Sequence, residues 1–231
     1  MSTPETTAAL PTADVVSRHL VVVGMAGVVL AVVVVGGLDL WTFGEPHNPL
    51  THTISEYAQG PFWLPFHLAV LSLAGGSLAI LVAMVRRRLA RPLSAGAVAL
   101  GLWSMGLIFV VLFEKHDWSQ GPSASGYVHQ SASLIAFLSL PVAAVLLAAP
   151  WRRHDRWRVA ASWTSRLGLV SMLWFVPILG ALILNFATDV EWWRLVPLGL
   201  TERTLVLTEI LVLVAMARWT LAAADHNRAP V

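Results

Sequence analysis

The chain contains no cysteine, which excludes disulfide partners, thiolate metal sites, iron–sulfur clusters and a cysteine nucleophile. Charge is also scarce. Only 12% of the 231 residues are Asp, Glu, Lys or Arg, and 57% are hydrophobic, whereas a soluble domain carries about 25% charged residues. Lysine is nearly missing: Lys115 stands alone against fourteen arginines, a usage that resembles a GC-rich bacterial genome. A formal charge of +2 and a pI near 9.7 would suggest nucleic acid if the basic residues formed a patch on a soluble face. They fall instead between apolar runs, so nucleic acid is discounted as a partner.

The apolar runs themselves are long. A hydrocarbon slab about 30 Å thick needs about twenty apolar residues of a helix rising about 1.5 Å per residue. Runs of that kind cover roughly Leu20–Leu38, Phe62–Val85, Pro92–Phe113, Tyr127–Ala149, Leu167–Ala187 and Thr204–Ala224. The first is too long for the apolar core of a signal peptide and lacks a small-residue cleavage site, so it is expected to remain as a helix. The last requires Glu209 inside the membrane and Arg218 at its interface. The expected fold is all-α and membrane-integral: a bundle of six transmembrane helices over residues 18–224. A disordered cytoplasmic tail is expected at 1–17, and a second cytoplasmic tail at 225–231.

Arginine sets the orientation, because basic residues near span ends stay on the cytoplasmic side. Taking the loops alternately, Arg18, the 86–91 and 152–166 clusters, Arg218 and Arg228 place twelve basic residues on one side. Lys115, Arg194 and Arg203 place three on the other. The asymmetry predicts both termini inside, and a cell (cytoplasmic) membrane as the location. Trp41, Trp63, Trp118, Trp192 and Trp193 outside, and Trp151, Trp157 and Trp219 inside, read as interfacial anchors.

Acidic and imidazole groups gather on the predicted outer side. In the segment from His47 to Tyr57, polar density and Pro49 argue against a regular span. Ser55 is expected to cap a short turn there, with Glu56 pointing into the mouth of the bundle. His67 lies one turn inside the second helix. Between the third and fourth helices, His116, Asp117 and His129 could supply acid/base or cation-ligand chemistry, although their spacing matches no zinc signature. His129 opens helix four and is expected to meet Asp117 or His67. In the last helix Glu202 and Glu209 stand seven residues apart on nearly one face, and an intramembrane carboxylate faces the bundle interior by default. Arg203 is always charged and needs an anionic partner. Ser55, Glu56, Asp117, His129 and Arg203 are therefore expected to cluster, with Arg203 bridging Glu56 or Asp117.

These stretches resemble a family of bacterial and archaeal polytopic membrane proteins catalogued as domain of unknown function 998. The resemblance rests on Ile54-Ser55-Glu56 after helix one, on Asp117 followed by His129 at helix four, and on Gly199-Leu200-Thr201-Glu202-Arg203 at the last helix. It implies a six- or seven-helix bundle in which Ser55, Glu56, Asp117, His129, Glu202 and Arg203 converge, and it leaves the activity open. A looser likeness to membrane hydrolases of the alkaline ceramidase type rests on Ser55, Asp117, His67, His116 and His129. The His-x-x-x-His pair of that type is missing from the last helix.

Three functions stay open: a polar extracytoplasmic-side pocket that binds or transports a small amphiphile or ion, an outer-leaflet hydrolase using a metal or a carboxylate–histidine pair, and a structural or accessory membrane protein. Partners are the bilayer and a small molecule or lipid. The sequence assigns no cofactor and no metal.

The orientation can be tested in this cysteine-free background. Of single cysteines placed at Ser123 and Ser94, the one at position 123 is expected to react with an impermeant thiol reagent in intact cells. Labelling at position 94 instead inverts the topology.

Overall fold

A computed structural model describes residues 12–43, 48–117, 120–187 and 195–226 of the chain. Among the described residues, seven α-helices run as α1 (Thr12–Trp41), α2 (Trp63–Arg86), α3 (Ala95–Leu112), α4 (Ala124–Ala148), α5 (Arg158–Leu173), α6 (Phe175–Ala187) and α7 (Leu198–His226). A 3-10 helix, Ile54–Ala58, lies between α1 and α2, and a shorter one, Ala149–Trp151, follows α4. The described residues contain no strand. Six helical stretches among the described residues are long and apolar enough to cross a membrane, including Val15–Trp41, Arg158–Ala181 and Leu198–Ala224. Helix is the expected form, since only intra-segment hydrogen bonds satisfy a backbone immersed in lipid.

The fifth span departs from its expected limits. It begins at Arg158 rather than Leu167 and is interrupted at Trp174, where α5 gives way to α6. Pro177 explains the interruption: its ring crowds the carbonyl four residues back, on Leu173, the residue at which α5 ends. Arg166, expected in a loop, is thus helical, with its guanidinium 5.9 Å from the centre of the Trp163 ring. At the other end of the chain α1 begins at Thr12, inside the stretch read as a tail.

Neighbouring helices form a ring in chain order, α1 against α2, then α3, α4 and α5, closed by α7 between α5 and α1. α7 also reaches α2 and α4, so one of its faces is turned toward the middle of the ring, and α6 packs on α5. Trp219, expected as an interfacial anchor, is only 1% exposed and meets Trp151 edge to face at 6.2 Å. Trp41 and Trp63 are exposed, as expected of anchors. Trp118, Trp192 and Trp193 lie outside the described residues.

Lipid offers no hydrophobic drive between helices, so close van der Waals contact and hydrogen bonds must hold them. The α1–α2 pair shows this best. A Cβ on Gly27 would sit 2.4 Å from the Ser72 carbonyl oxygen, and one on Gly76 would sit 2.5 Å from that of Gly24. The Ser72 hydroxyl donates to the Gly27 carbonyl at 3.1 Å across the same contact. Between α2 and α3, Trp103 Nε1 donates to Ser77 Oγ at 3.0 Å, fixing the indole in the interior.

Gly27→Leu is therefore expected to lower stability by about 1–3 kcal/mol through backbone overpacking, read as a lower melting temperature in detergent. Gly37→Leu, with nothing within 4 Å of its Cβ position, is the control. It should melt at or slightly above the wild-type temperature, because leucine favours helix over glycine.

Candidate functional site

The end of the bundle that carries the 3-10 helix also carries most of the described acidic groups. There the C-terminal turn of α1 meets the N-terminal turn of α7. Arg203 holds Asp39 in a fork, Nε to Oδ2 at 2.9 Å and Nη2 to Oδ1 at 2.7 Å. Its Nη1 donates to the carbonyls of His52 at 2.7 Å and Gly199 at 3.1 Å. The two side chains are 15% and 23% exposed, so the pair is largely out of water. A planar fork on a carboxylate is the strongest geometry open to arginine.

Tyr57 and Thr42 complete this group. The Tyr57 hydroxyl donates to Asp39 Oδ1 at 2.9 Å, and Thr42 Oγ1 lies 2.8 Å from that hydroxyl. Burial, and then the hydrogen bond to Asp39, push the Tyr57 phenol above its usual range, so it remains a donor near neutral pH. On α7, Glu202 accepts the backbone N–H of Ile54 at 2.7 Å, and Leu200 N donates to Leu50 O at 3.1 Å. Gly199 permits this approach, since a Cβ there would lie 2.4 Å from the Pro49 carbonyl oxygen.

Beside this clasp is a second one. Glu56 folds back on Thr53, accepting from its N–H at 3.1 Å and its hydroxyl at 2.8 Å, and meets His52 Nδ1 at 2.5 Å. Lys115 reaches it from the α3–α4 loop, with Nζ 3.3 Å from Oε1 and 2.7 Å from Thr53 Oγ1. Partial burial raises the Glu56 carboxyl, but Lys115, His52 and Thr53 outweigh it and bring the pKa down to about 2.

Under the clasps lies a cavity of about 260 Å³. Asp39, Ser55, Glu202 and Arg203 line it at one end. The remaining wall is apolar save for Ser133, and comes from α1, α2, α3, α4 and α7, with Trp103 and Phe137 among its aromatics.

The structure thus unites Ser55, Glu202 and Arg203 of the predicted residues around one cavity, and it adds Asp39, which the sequence reading missed. Arg203 pairs with Asp39, not with the expected Glu56 or Asp117, because α1 abuts α7 directly and Glu56 is engaged by its own turn and Lys115. Thr53, not Ser55, begins the short turn, and Glu56 is absent from the cavity wall. His129 donates from Nδ1 to the Phe113 carbonyl at 2.9 Å instead of meeting Asp117 or His67. His116 is 4% exposed, accepts the Ser123 N–H at 3.0 Å and packs edge to face on Tyr127. Asp117 accepts from Gln120 Nε2 at 2.8 Å, and His67 packs edge to face on Trp63 and at a tilt against Phe66. Glu209 is fully buried, its carboxylate oxygens have no hydrogen-bond partner among the described residues, and it is not in the cavity wall.

One signal could have found Asp39. It is a carboxylate one residue from the end of the first apolar run, on the side that holds three basic residues in all.

Among the described residues, six helices long and apolar enough to cross a membrane, five of them lining an interior cavity, define a polytopic helical membrane protein. Residues 25–219 match the family described as Protein of unknown function (DUF998), and the chain belongs to that family. No curated protein and no solved structure matches it.

Asp39→Asn leaves the largely buried Arg203 charge without its anion and is expected to cost about 2–4 kcal/mol, within or just below the range for wholly buried pairs. Melting temperature at neutral pH measures it. Glu56 supplies the acid-side contrast. Its depressed folded pKa gives stability that is complete above the unfolded value of 4.5 and is lost as pH falls toward 2. Glu56→Gln should therefore narrow its gap to wild type across that window, whereas a gap that stays constant would show that the carboxylate contributes nothing.

Proposed function

We propose that the protein binds an amphiphile, its apolar body in the cavity and its polar head beneath the Asp39–Arg203 clasp. The observation that carries this reading is the cavity itself: an apolar interior with polar and charged side chains at one end only. At about 260 Å³ it is slightly smaller than the usual ligand pocket, a size suited to one hydrocarbon chain. Two carboxylates, Asp39 and Glu202, face one guanidinium at the polar end, which leaves no surplus positive charge to hold an anionic head. An uncharged hydrogen-bonding or cationic head fits better. A bare ion fits poorly, because an apolar wall cannot replace its hydration.

In this reading the polar end faces the extracytoplasmic side, which the arginine asymmetry supports. The alternative of an outer-leaflet zinc hydrolase needs three or more ligands at about 2.0–2.2 Å from one point, and no three His, Asp or Glu side chains gather suitably among the described residues. A purely accessory role accounts for the clasps but gives the cavity nothing to do.

Mass analysis of the protein purified in mild detergent tests the proposal. A lipid-like molecule is expected in wild type. It should fall about tenfold, equivalent to about 1.4 kcal/mol of binding, in Val206→Trp, which fills the cavity. It should be retained in Leu211→Trp, which alters an exposed position outside the wall. Equal retention in both variants would refute binding in this cavity.

A further inference from the structure

The cavity is closed above and open at the side. Above it, the Arg203–Asp39 fork, the Tyr57 hydroxyl on Asp39 and the Ile54 N–H on Glu202 bind the 3-10 helix, α1 and α7 to one another. Water-side passage would break several of these bonds at once, each in a partly desolvated place where an unmade bond is costly. The side is different. Of all residues lining the cavity only Val32 of α1 and Leu207 of α7 are exposed, at 47% and 57%. Both are apolar, and both stand below the ion pair on the outer faces of helices that cross the membrane. Gly36, one turn beyond Val32, also lines the cavity, and a Cβ there would meet nothing within 4 Å. The wall between α1 and α7 is thus thin at one level, and what lies outside that level is hydrocarbon.

Resting on the amphiphile-binding reading, we infer that the cavity is filled sideways from the bilayer, by one acyl chain of a membrane lipid passing between α1 and α7. The rim is Val32, Gly36 and Leu207. A chain moving from lipid into an apolar cavity leaves no water and exposes no polar group, so the passage has no desolvation barrier of the kind the polar roof presents. The headgroup need not cross the bilayer core, because the polar end of the cavity lies at the same end of the helices as the interface. Charge agrees with a zwitterionic head, whose cationic part suits a mouth with two carboxylates and one guanidinium.

The test uses the full chain reconstituted in phosphatidylcholine vesicles that carry a trace of phosphatidylcholine with a diazirine near the end of one acyl chain. Photolysis and peptide mass mapping are expected to place adducts on the inner wall, at Trp103 or Phe137. Capture and release are then timed by mixing with vesicles that hold or lack the probe. Leu207→Trp thickens the rim and is expected to slow capture and release by about tenfold each while equilibrium occupancy changes little, the signature of a barrier rather than of lost affinity. Gly36→Leu, at the opposite rim, should act in the same direction. Gly37→Trp, exposed and outside the wall, should exchange at the wild-type rate.

Wall adducts with wild-type exchange rates in both rim variants would overturn lateral access and leave cavity binding standing. So would lower occupancy with an unchanged release rate. If wild type gives no wall adducts but binds octyl glucoside monomers from solution, the lipid-chain occupant is wrong. If neither probe binds, the amphiphile reading falls as well.

Discussion

The Asp39–Arg203 pair is the contact on which the acidic end of the bundle depends. Arg203 cannot shed its charge, and in the second turn of a membrane helix it must be neutralised within the protein or reach out to water. Asp39 meets the same demand from the last turn of α1. The fork satisfies both and ties the first helix to the last, the join that closes the ring. The other roof contacts then follow from position. Once α7 is held there, Arg203 can take the His52 carbonyl and Glu202 can take the Ile54 N–H. The 3-10 helix Ile54–Ala58 is thereby held against one end of the cavity.

The fold was largely legible in the sequence because hydropathy over twenty residues is a strong, local signal. Five of the six spans start and end within a few residues of the runs read from composition, apart from the helical extensions of α1 below Leu20 and of α7 before Thr204. The exception has a local cause. The arginines between 152 and 166 mask a helix that begins at Arg158, since Arg158 and Arg166 look like loop charges until long side chains are allowed to reach along the helix to the interface. The break at Pro177 is a backbone matter that hydropathy does not register.

The site was half legible. Ser55, Glu202 and Arg203 could be found because their polarity conflicts with their place next to apolar runs. Partners could not be found in the same way, since a carboxylate's partner depends on which helices touch. Glu56 and Asp117 looked as good as Asp39 until α1 was seen beside α7. His116 and His129 illustrate the converse. His116 in the α3–α4 loop and His129 in the second turn of α4 suggest chemistry, yet Nδ1 of each ring is committed to a backbone group, Ser123 N–H for one and the Phe113 carbonyl for the other. Backbone satisfaction in loops leaves no mark on composition. The seven-residue spacing of Glu202 and Glu209 placed both on nearly one face, but only Glu202 reaches the cavity.

The cavity and its thin side have a common origin in what α1 is allowed to touch. Along its middle, Gly24 and Gly27 bring α1 so close to α2 that backbone meets backbone. At its end, Asp39 brings it to α7. Between these two anchors, α1 cannot hug both neighbours, because a helix is stiff over the three turns that separate Gly27 from Asp39. It stays with α2 and stands off from α7, where Val32, Val35 and Gly36 line the space that results. A larger residue at position 36 would fill part of that space without displacing any backbone, so the opening is a property of side-chain choice as well as of helix placement. The same stiffness that keeps the roof shut beneath Asp39 therefore leaves the wall below it thin.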